Sequence, residues 1–314
     1  MSPIKVCFLG TPEFARIHLN SLLKNPGFTV AGVVTQPDRP VGRKMLLTPS
    51  AVKVFAVENN LAVLTPENLK NEPESLEKIR SWQADVAVVV AFGQILSQEF
   101  LDSFRFGAVN VHGSLLPLWR GASPIQRSIE AGDTQTGVSL QKMVRKLDAG
   151  PVIGERNLKL NDEITATELY DELSLLGCEL LAQELPKFIS GEILPREQDE
   201  NKVSFAVKIQ KTESLLTWNR SATEIHNRVR AFTMGPGTYV IHQGKRLKIH
   251  KTRVVDKNST GTPGTIVLLQ PDQLHIQTQS GVLSLLELQP ESKSKISIAD
   301  FLKSTVLKKG DVFD

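Results

Sequence analysis

Cysteine is almost missing from this 314-residue chain, which has two. Cys7 and Cys178 cannot build a disulfide framework or a thiolate zinc cluster. Cys7 also lies inside the apolar run Val6–Leu9, where a core role is expected. Long apolar runs are missing too: nothing approaches the about 18 residues that a spanning helix needs. The opening Met-Ser-Pro-Ile-Lys shows no signal-peptide pattern, so a cytoplasmic protein is expected. Gly10-Thr-Pro lacks the glycine spacing of a dinucleotide fingerprint, and no Gly-x4-Gly-Lys-Ser/Thr stretch occurs, so neither nicotinamide, flavin nor P-loop chemistry is indicated. His18, His226, His242, His250 and His275 have no metal-site spacing, and no metal is expected.

Positive charge is scarce in only one part of the chain. Residues 1–200 carry 20 Lys and Arg against 25 Asp and Glu, whereas residues 201–314 carry 17 against 9. A basic second part suits a polyanionic partner, although charge alone does not separate tRNA from other RNA, DNA or anionic lipid.

Ile4–Gly10 is a short apolar run, followed by apolar residues near a 3.6 period up to Leu23. A strand and then a helix are expected, with Thr11 as the cap and Pro12 at the first helical position. The alternation continues with strand 28–35, helix 50–59, strand 60–64 and helix 73–82. The wholly apolar strand 84–91 is of the kind a parallel sheet buries on both faces. Strand 106–111, helix 124–131, strands 137–142 and 152–160, and a long amphipathic helix 167–188 complete a doubly wound, Rossmann-like α/β domain over residues 1–189. Residues 190–208 are charged and polar and read as a linker. In 209–314, Ser221 and Glu224 have capping-box spacing ahead of a helix to Phe232. Short runs at 238–242, 246–255, 264–269, 273–278 and 281–288 are separated by turn residues at all-β spacing, so a small open, OB-like β-barrel is expected.

The most informative stretch is Asn110-Val-His-Gly-Ser-Leu-Leu-Pro-Leu-Trp-Arg-Gly-Ala-Ser-Pro-Ile-Gln126. Asn110 and His112 are two residues apart at a strand end, so they point to one side. An amide donor then stands beside the side-chain type suited to proton transfer near neutrality, an arrangement fit for chemistry at a carbonyl carbon. Asp148, in the turn Lys146-Leu-Asp-Ala-Gly150, is a candidate partner for His112; spacing alone fits a surface-turn aspartate as well. Ser114 has no activated setting. The loop 35–49 carries Arg39, Arg43 and Lys44 and fits either a phosphate backbone or a solvated surface. Trp119 and Arg120 suit stacking and phosphate, or simple loop packing.

Asn110-Val-His112, Ser114-Leu-Leu-Pro117 and Leu147-Asp148-Ala-Gly150 together resemble the formyltransferases that use 10-formyltetrahydrofolate. Arg120-Gly-Ala-Ser-Pro-Ile-Gln126, Thr35-Gln-Pro-Asp-Arg-Pro-Val-Gly-Arg43 and the C-terminal extension resemble the methionyl-tRNA formyltransferase family in particular. The resemblance implies formyl transfer from 10-formyltetrahydrofolate to the α-amine of methionine on initiator methionyl-tRNA, by a monomer. It implies catalysis by Asn110, His112 and Asp148, and folate contacts at Ser114, Leu115, Leu116, Pro117, Phe92 and Gly93. It implies tRNA contacts at Arg39, Arg43 and Lys44 and over a C-terminal domain 209–314. Many relatives have a denser Gly-Lys-Lys run after the position of Arg43, and an Asp/Glu-Gly-Leu-Asp lead-in where this chain has Val144-Arg-Lys-Leu-Asp148. The trio itself does not separate a tRNA enzyme from one that formylates a glycinamide nucleotide or a nucleotide sugar; the C-terminal extension and the Arg39/Arg43 loop do. An RNA-binding module with an inactive α/β half is the remaining alternative.

Overall fold

The computed structural model describes residues 2–42 and 44–313. The chain divides into two compact units, one of Met1–Pro124, Gln135–Leu158 and Tyr170–Ala206, the other of Ile125–Thr134, Lys159–Leu169 and Val207–Asp314.

Apolar runs at strand spacing alternate with amphipathic helices through the first unit. They give β1 (Ile4–Gly10), α1 (Glu13–Lys24), β2 (Phe28–Val34), the short hairpin strands β3 (Arg39–Val41) and β4 (Leu46–Thr48), α2 (Ala51–Glu58) and β5 (Val63–Leu64). Then come α3 (Pro73–Ser81), β6 (Val86–Val90), α4 (Gln98–Leu101), β7 (Ala108–His112) and β8 (Arg120–Gly121). After α5 (Pro124–Ala131), which from Ile125 on belongs to the second unit, follow β9 (Gln135–Lys142), β10 (Val152–Lys159), α6 (Ala166–Ser190), in the first unit from Tyr170 on, and β11 (Phe205–Ala206). The seven-stranded sheet has the order β10-β9-β7-β6-β1-β2-β5. Its five strands from β7 to β5 are parallel, and β9 is antiparallel to β7. All residues of β6 and β7 are buried, as strands covered on both faces must be. Strand order reverses between β1 and β6, so the crevice that doubly wound sheets use for ligands opens at the carboxyl ends of these strands.

Thr11 does not cap α1 as expected. Pro12 is the N-cap and makes no side-chain cap bond, while the Thr11 hydroxyl donates to the Phe92 carbonyl at 3.0 Å, tying β1 to the segment after β6. The α1 face buries Phe14, His18, Leu19 and Leu22. His18 Nδ1 donates to Phe14 O at 2.7 Å, and its Nε2 has no partner among the described residues, the arrangement of a neutral ring.

In the second unit α7 (Ala222–Ala231) packs on β12 (Thr238–His242), β13 (Lys245–Asp256), β14 (Ile266–Gln270), β15 (Gln273–Gln277), β16 (Val282–Pro290) and β17 (Ile296–Ser297), closed by α8 (Ile298–Lys303). The six strands form one sheet, with the path β12-β13-β16-β15-β14 and β17 paired to β16. Trp218, Ile225, Leu274, Leu283, Leu285 and Phe313 centre its core. The capping box is formed as its spacing suggests: Ser221 accepts from Glu224 N–H, and Glu224 accepts from Ser221 N–H. Among the described residues no helix is long and apolar enough to cross a membrane.

Two stability tests follow from this packing. Leu285→Ala, at a fully buried site, is expected to lower the unfolding free energy by about 2–5 kcal/mol. Loss of the cap in Ser221→Ala should cost only about 1 kcal/mol. Urea unfolding checks both, and equal small losses would show that Leu285 is not a core residue. Burial pushes His18 from 6.5 down to about 4. The unfolded chain therefore binds the extra proton first, so this contribution is complete above pH 6.5 and is lost as pH falls toward 4. Urea midpoints of wild type should fall faster over that interval than those of His18→Gln; parallel curves would refute the assignment.

Candidate active site

Strand β7 ends in the polar pair that its two-residue period predicts. Asn110 and His112 are 8% and 6% exposed, both on the face turned toward the loop that follows. In the β7–β9 ladder Asn110 stands opposite Gln141, and His112 opposite Ser139. Directly opposed residues share a face, so β9 contributes a second polar pair to the same place.

Ser139 organises the loop after His112. Its hydroxyl donates to Ser114 O at 2.8 Å and accepts from Leu116 N–H at 3.0 Å. Ser114 is fully buried, and its own hydroxyl donates to Leu118 O at 2.6 Å. The Leu116–Pro117 peptide is cis. Trp119 takes a left-handed backbone conformation with φ of 60° and turns its carbonyl onto His112 Nε2 at 2.9 Å. A carbonyl only accepts, so Nε2 carries a proton, an assignment made from the partner. Nδ1 is then the atom that faces Asp148 Oδ2, at 3.7 Å.

Asp148 also has a left-handed backbone, with φ of 45°. Such a conformation costs a non-glycine residue about 1–2 kcal/mol, so neighbouring bonds must hold it. Gly121 N–H donates to Oδ2 at 2.9 Å, and Gln141 Nε2 donates to Oδ1 at 3.1 Å. The backbone around Asp148 is held by Gln198, whose Nε2 donates to Asp148 O at 2.9 Å and to Gly150 O at 2.6 Å. Gln198 Oε1 in turn accepts from Arg120 Nε and Nη2 at 3.1 and 2.9 Å. Arg120, 1% exposed, reaches Glu200 at 2.8 Å, and Lys146 meets the other oxygen of that carboxylate at 2.7 Å. Arg120 first and Lys146 second hold the Glu200 carboxyl down at about 2. Glycine is required at 121: its φ is 126°, and a Cβ there would lie 2.7 Å from the Ala206 carbonyl of β11, the strand that pairs with β8.

The sequence-derived candidates thus separate. Asn110, His112 and Asp148 lie together, and the Asn110 side chain makes no hydrogen bond to any described residue. Of the candidates for folate contact, Leu115 and Pro117 are half-buried and Gly93 is exposed, whereas Ser114, Leu116 and Phe92 are buried. The Phe92 side chain lies in the core cluster with Leu9 and Phe100, and its carbonyl accepts from Thr11 and Gln36. Arg39 is exposed on β3 and pairs with Glu67 at 2.8 Å; Lys44 is exposed at the hairpin tip. Arg43 lies outside the described residues. Gln141, Ser139, Gln198 and Ser204 were not singled out from sequence. The alternation Ser139/Gln141 against Val138/Leu140 on a strand flanked by two others was the available signal for the first two. Among the described residues no group of three or more His, Cys, Asp or Glu side chains converges to hold a metal ion.

The formyl transferase model matches residues 4–185, and the formyl transferase C-terminal domain model matches residues 208–305. The chain is 56% identical over 314 residues to a methionyl-tRNA formyltransferase of Bdellovibrio bacteriovorus, covering 99% of each chain. It is 42% identical over 298 residues to that of Pediococcus pentosaceus, covering 95% of this chain and 93% of the other. A Helicobacter canadensis N-formyltransferase, crystallised with folinic acid and dTDP-3-aminofucose, shares the fold with a TM-score of 0.65 at 20% identity, covering 93% of this chain and 100% of that one. With both family domains present and a relative this similar over almost its whole length, the chain belongs to the methionyl-tRNA formyltransferase family.

Proposed function

We propose that this protein transfers the formyl group of 10-formyltetrahydrofolate to the α-amine of methionine on initiator methionyl-tRNA, in the cytoplasm and as a monomer, with Asn110, His112 and Asp148 as the catalytic trio. The observation that carries the assignment is the amide of Asn110 beside His112, which makes no hydrogen bond to a described residue while His112, Ser114 and Ser139 are each engaged. An unpaired donor held on a rigid strand is a preorganised partner for an oxygen that gains charge.

In the proposed step the neutral amine forms a bond to the formyl carbon, and the formyl oxygen becomes negative. Asn110 N–H meets that charge together with the Nδ1 proton of a charged His112, which at 3.7 Å from Asp148 Oδ2 is not consumed by a hydrogen bond, while Asp148 and the Trp119 carbonyl orient the ring. The carbon–N10 bond then breaks, and the proton lost by the amine ends on N10, giving tetrahydrofolate and the formylated methionyl ester. The donor would lie against Leu115, Pro117 and Gly93, beside the switch point between β1 and β6. Ser114, Leu116 and Phe92 would shape that pocket from within through their backbone.

We assign catalysis to 1–189 and tRNA to 209–314, with 190–208 as a connecting segment that belongs to the first unit as far as Ala206 and braces the site through Gln198 and Ser204. The C-terminal strands would curl into an open, OB-like barrel, in keeping with the three register shifts in the β13–β16 ladder, since bulges bend a strand. Strand β13 exposes Arg246, Lys248, Lys251 and Arg253, and the Arg246 guanidinium stacks 4.1 Å from the Tyr239 ring. Such a basic strand suits a phosphate backbone, with Arg39, Arg43 and Lys44 assigned to the acceptor end.

Formyl transfer from labelled 10-formyltetrahydrofolate to charged initiator tRNA tests the assignment. Asn110→Ala should lower kcat on the order of 10²–10³; wild-type turnover would remove Asn110 from the chemistry, and label entering only a glycinamide nucleotide would move the substrate. Titrations over rising salt form a second test. Affinity for tRNA should fall steeply while folate affinity changes little, and equal slopes would contradict a charge-based hold on the RNA.

A further inference from the structure

Gln141 is a buried polar side chain on the face of Asn110 and His112 that the proposed transfer leaves unused. It is 1% exposed and stands opposite Asn110 across the β7–β9 ladder. Its Nε2 donates to Asp148 Oδ1 at 3.1 Å, while its buried Oε1 has no partner among the described residues. A carboxylate oxygen only accepts, so the NH2 end of the amide must face Asp148. Leaving the other end unpaired in the interior is unfavourable, and an apolar side chain of the same length would avoid that loss. The bond to Asp148 is therefore what the amide contributes at this position.

We propose that Gln141 is a positioning residue that fixes the rotation of the Asp148 carboxylate, and thereby the oxygen that faces His112. This rests on the assignment of Asp148 and His112 to the reaction. Two donors hold the carboxylate plane, Gly121 N–H on Oδ2 and Gln141 on Oδ1. With Gly121 alone, the group can swing about a single bond, and the 3.7 Å approach of Oδ2 to His112 Nδ1 is no longer held. The charged groups around this pair are His112 on β7, Glu155 on β10, whose Oε1 is 3.5 Å from the Ser139 hydroxyl, and the Arg120–Glu200–Lys146 cluster, joined to the Asp148 backbone through Gln198. Among the described residues no other hydrogen bond of the carboxylate duplicates the one from Gln141.

The test compares steady-state formyl transfer by wild type, Gln141→Met, Gln141→Glu and Asp148→Asn across pH, with thermal unfolding of each. Gln141→Met keeps length and volume but cannot donate. It should lower kcat on the order of 10², the usual consequence of a small misplacement, with the KM for either substrate little changed. Gln141→Glu donates only when protonated and repels Asp148 when ionised. Its kcat relative to wild type should therefore rise as pH is lowered, whereas the ratio for Gln141→Met stays flat. Wild-type kcat in Gln141→Met with an impaired Asp148→Asn would overturn the proposal and leave the trio standing. Wild-type kcat in Asp148→Asn would remove the assignment beneath it. If Gln141→Met does not fold, the Glu variant decides: a pH-independent ratio overturns the proposal.

Discussion

The site depends on the antiparallel register of β9 against β7. Opposed residues in such a ladder share a face, so one register places Asn110 beside Gln141 and His112 beside Ser139. The intervening residues Val109, Val111, Val138 and Leu140 are buried apolar side chains on the other face. A slip of one residue would send those apolar groups to the polar face and the four polar groups into the core. Hydrophobic alternation, a device for packing, therefore also sets the chemistry. An ordinary parallel neighbour at this position would have reversed the chain direction and brought a different turn to His112.

Around that register, long-range bonds hold two loops that are strained at Trp119 and Asp148. Ser204 accepts from Trp119 N–H with its hydroxyl and from Arg120 N–H with its carbonyl. Gln198 spans the carbonyls of Asp148 and Gly150, and Arg120 orients Gln198. Residues 196–206 thus serve the site although their composition is that of a connector. A guanidinium buried as deeply as Arg120 needs hydrogen-bonded partners to offset its desolvation, and Gln198 and Glu200 supply them. These partners satisfy Nε and Nη2, while the buried Nη1 has none among the described residues.

Local pattern made the parallel strands, the α7 capping box and the Asn110/His112 pair legible, because each is set by residues within one or two turns of one another. Thr11 was misread because its hydroxyl found a carbonyl 81 residues away instead of its own helix. The β3–β4 hairpin and the two-residue β8–β11 pairing carry too few residues for any periodicity to register. Asp148 is a candidate from its turn, but its spacing from His112 spans a helix and a strand and fits a surface aspartate as well. Gln141 carries no local signal of burial in its stretch of sequence. Its burial follows from sheet order, with β7 and β10 on either side, which no single stretch of sequence encodes.

The residues at hand also narrow the route of the transfer. A covalent relay through the enzyme needs an activated nucleophile, and the side chains that come closest to qualifying are disarmed. Burial pushes the Cys178 thiol up to about 11 and raises Cys7 further still, so neither carries useful thiolate near neutrality. The Ser114 hydroxyl donates to a backbone carbonyl and has no base beside it to take its proton. His112 donates through Nε2 to Trp119 and faces a carboxylate through Nδ1, a setting that orients the ring and leaves it no free lone pair aimed at a carbonyl carbon when charged. What remains free is the Asn110 amide, a donor without nucleophilic character. A site built this way suits stabilising an oxyanion and holding a proton, in keeping with the proposed direct attack by the substrate amine.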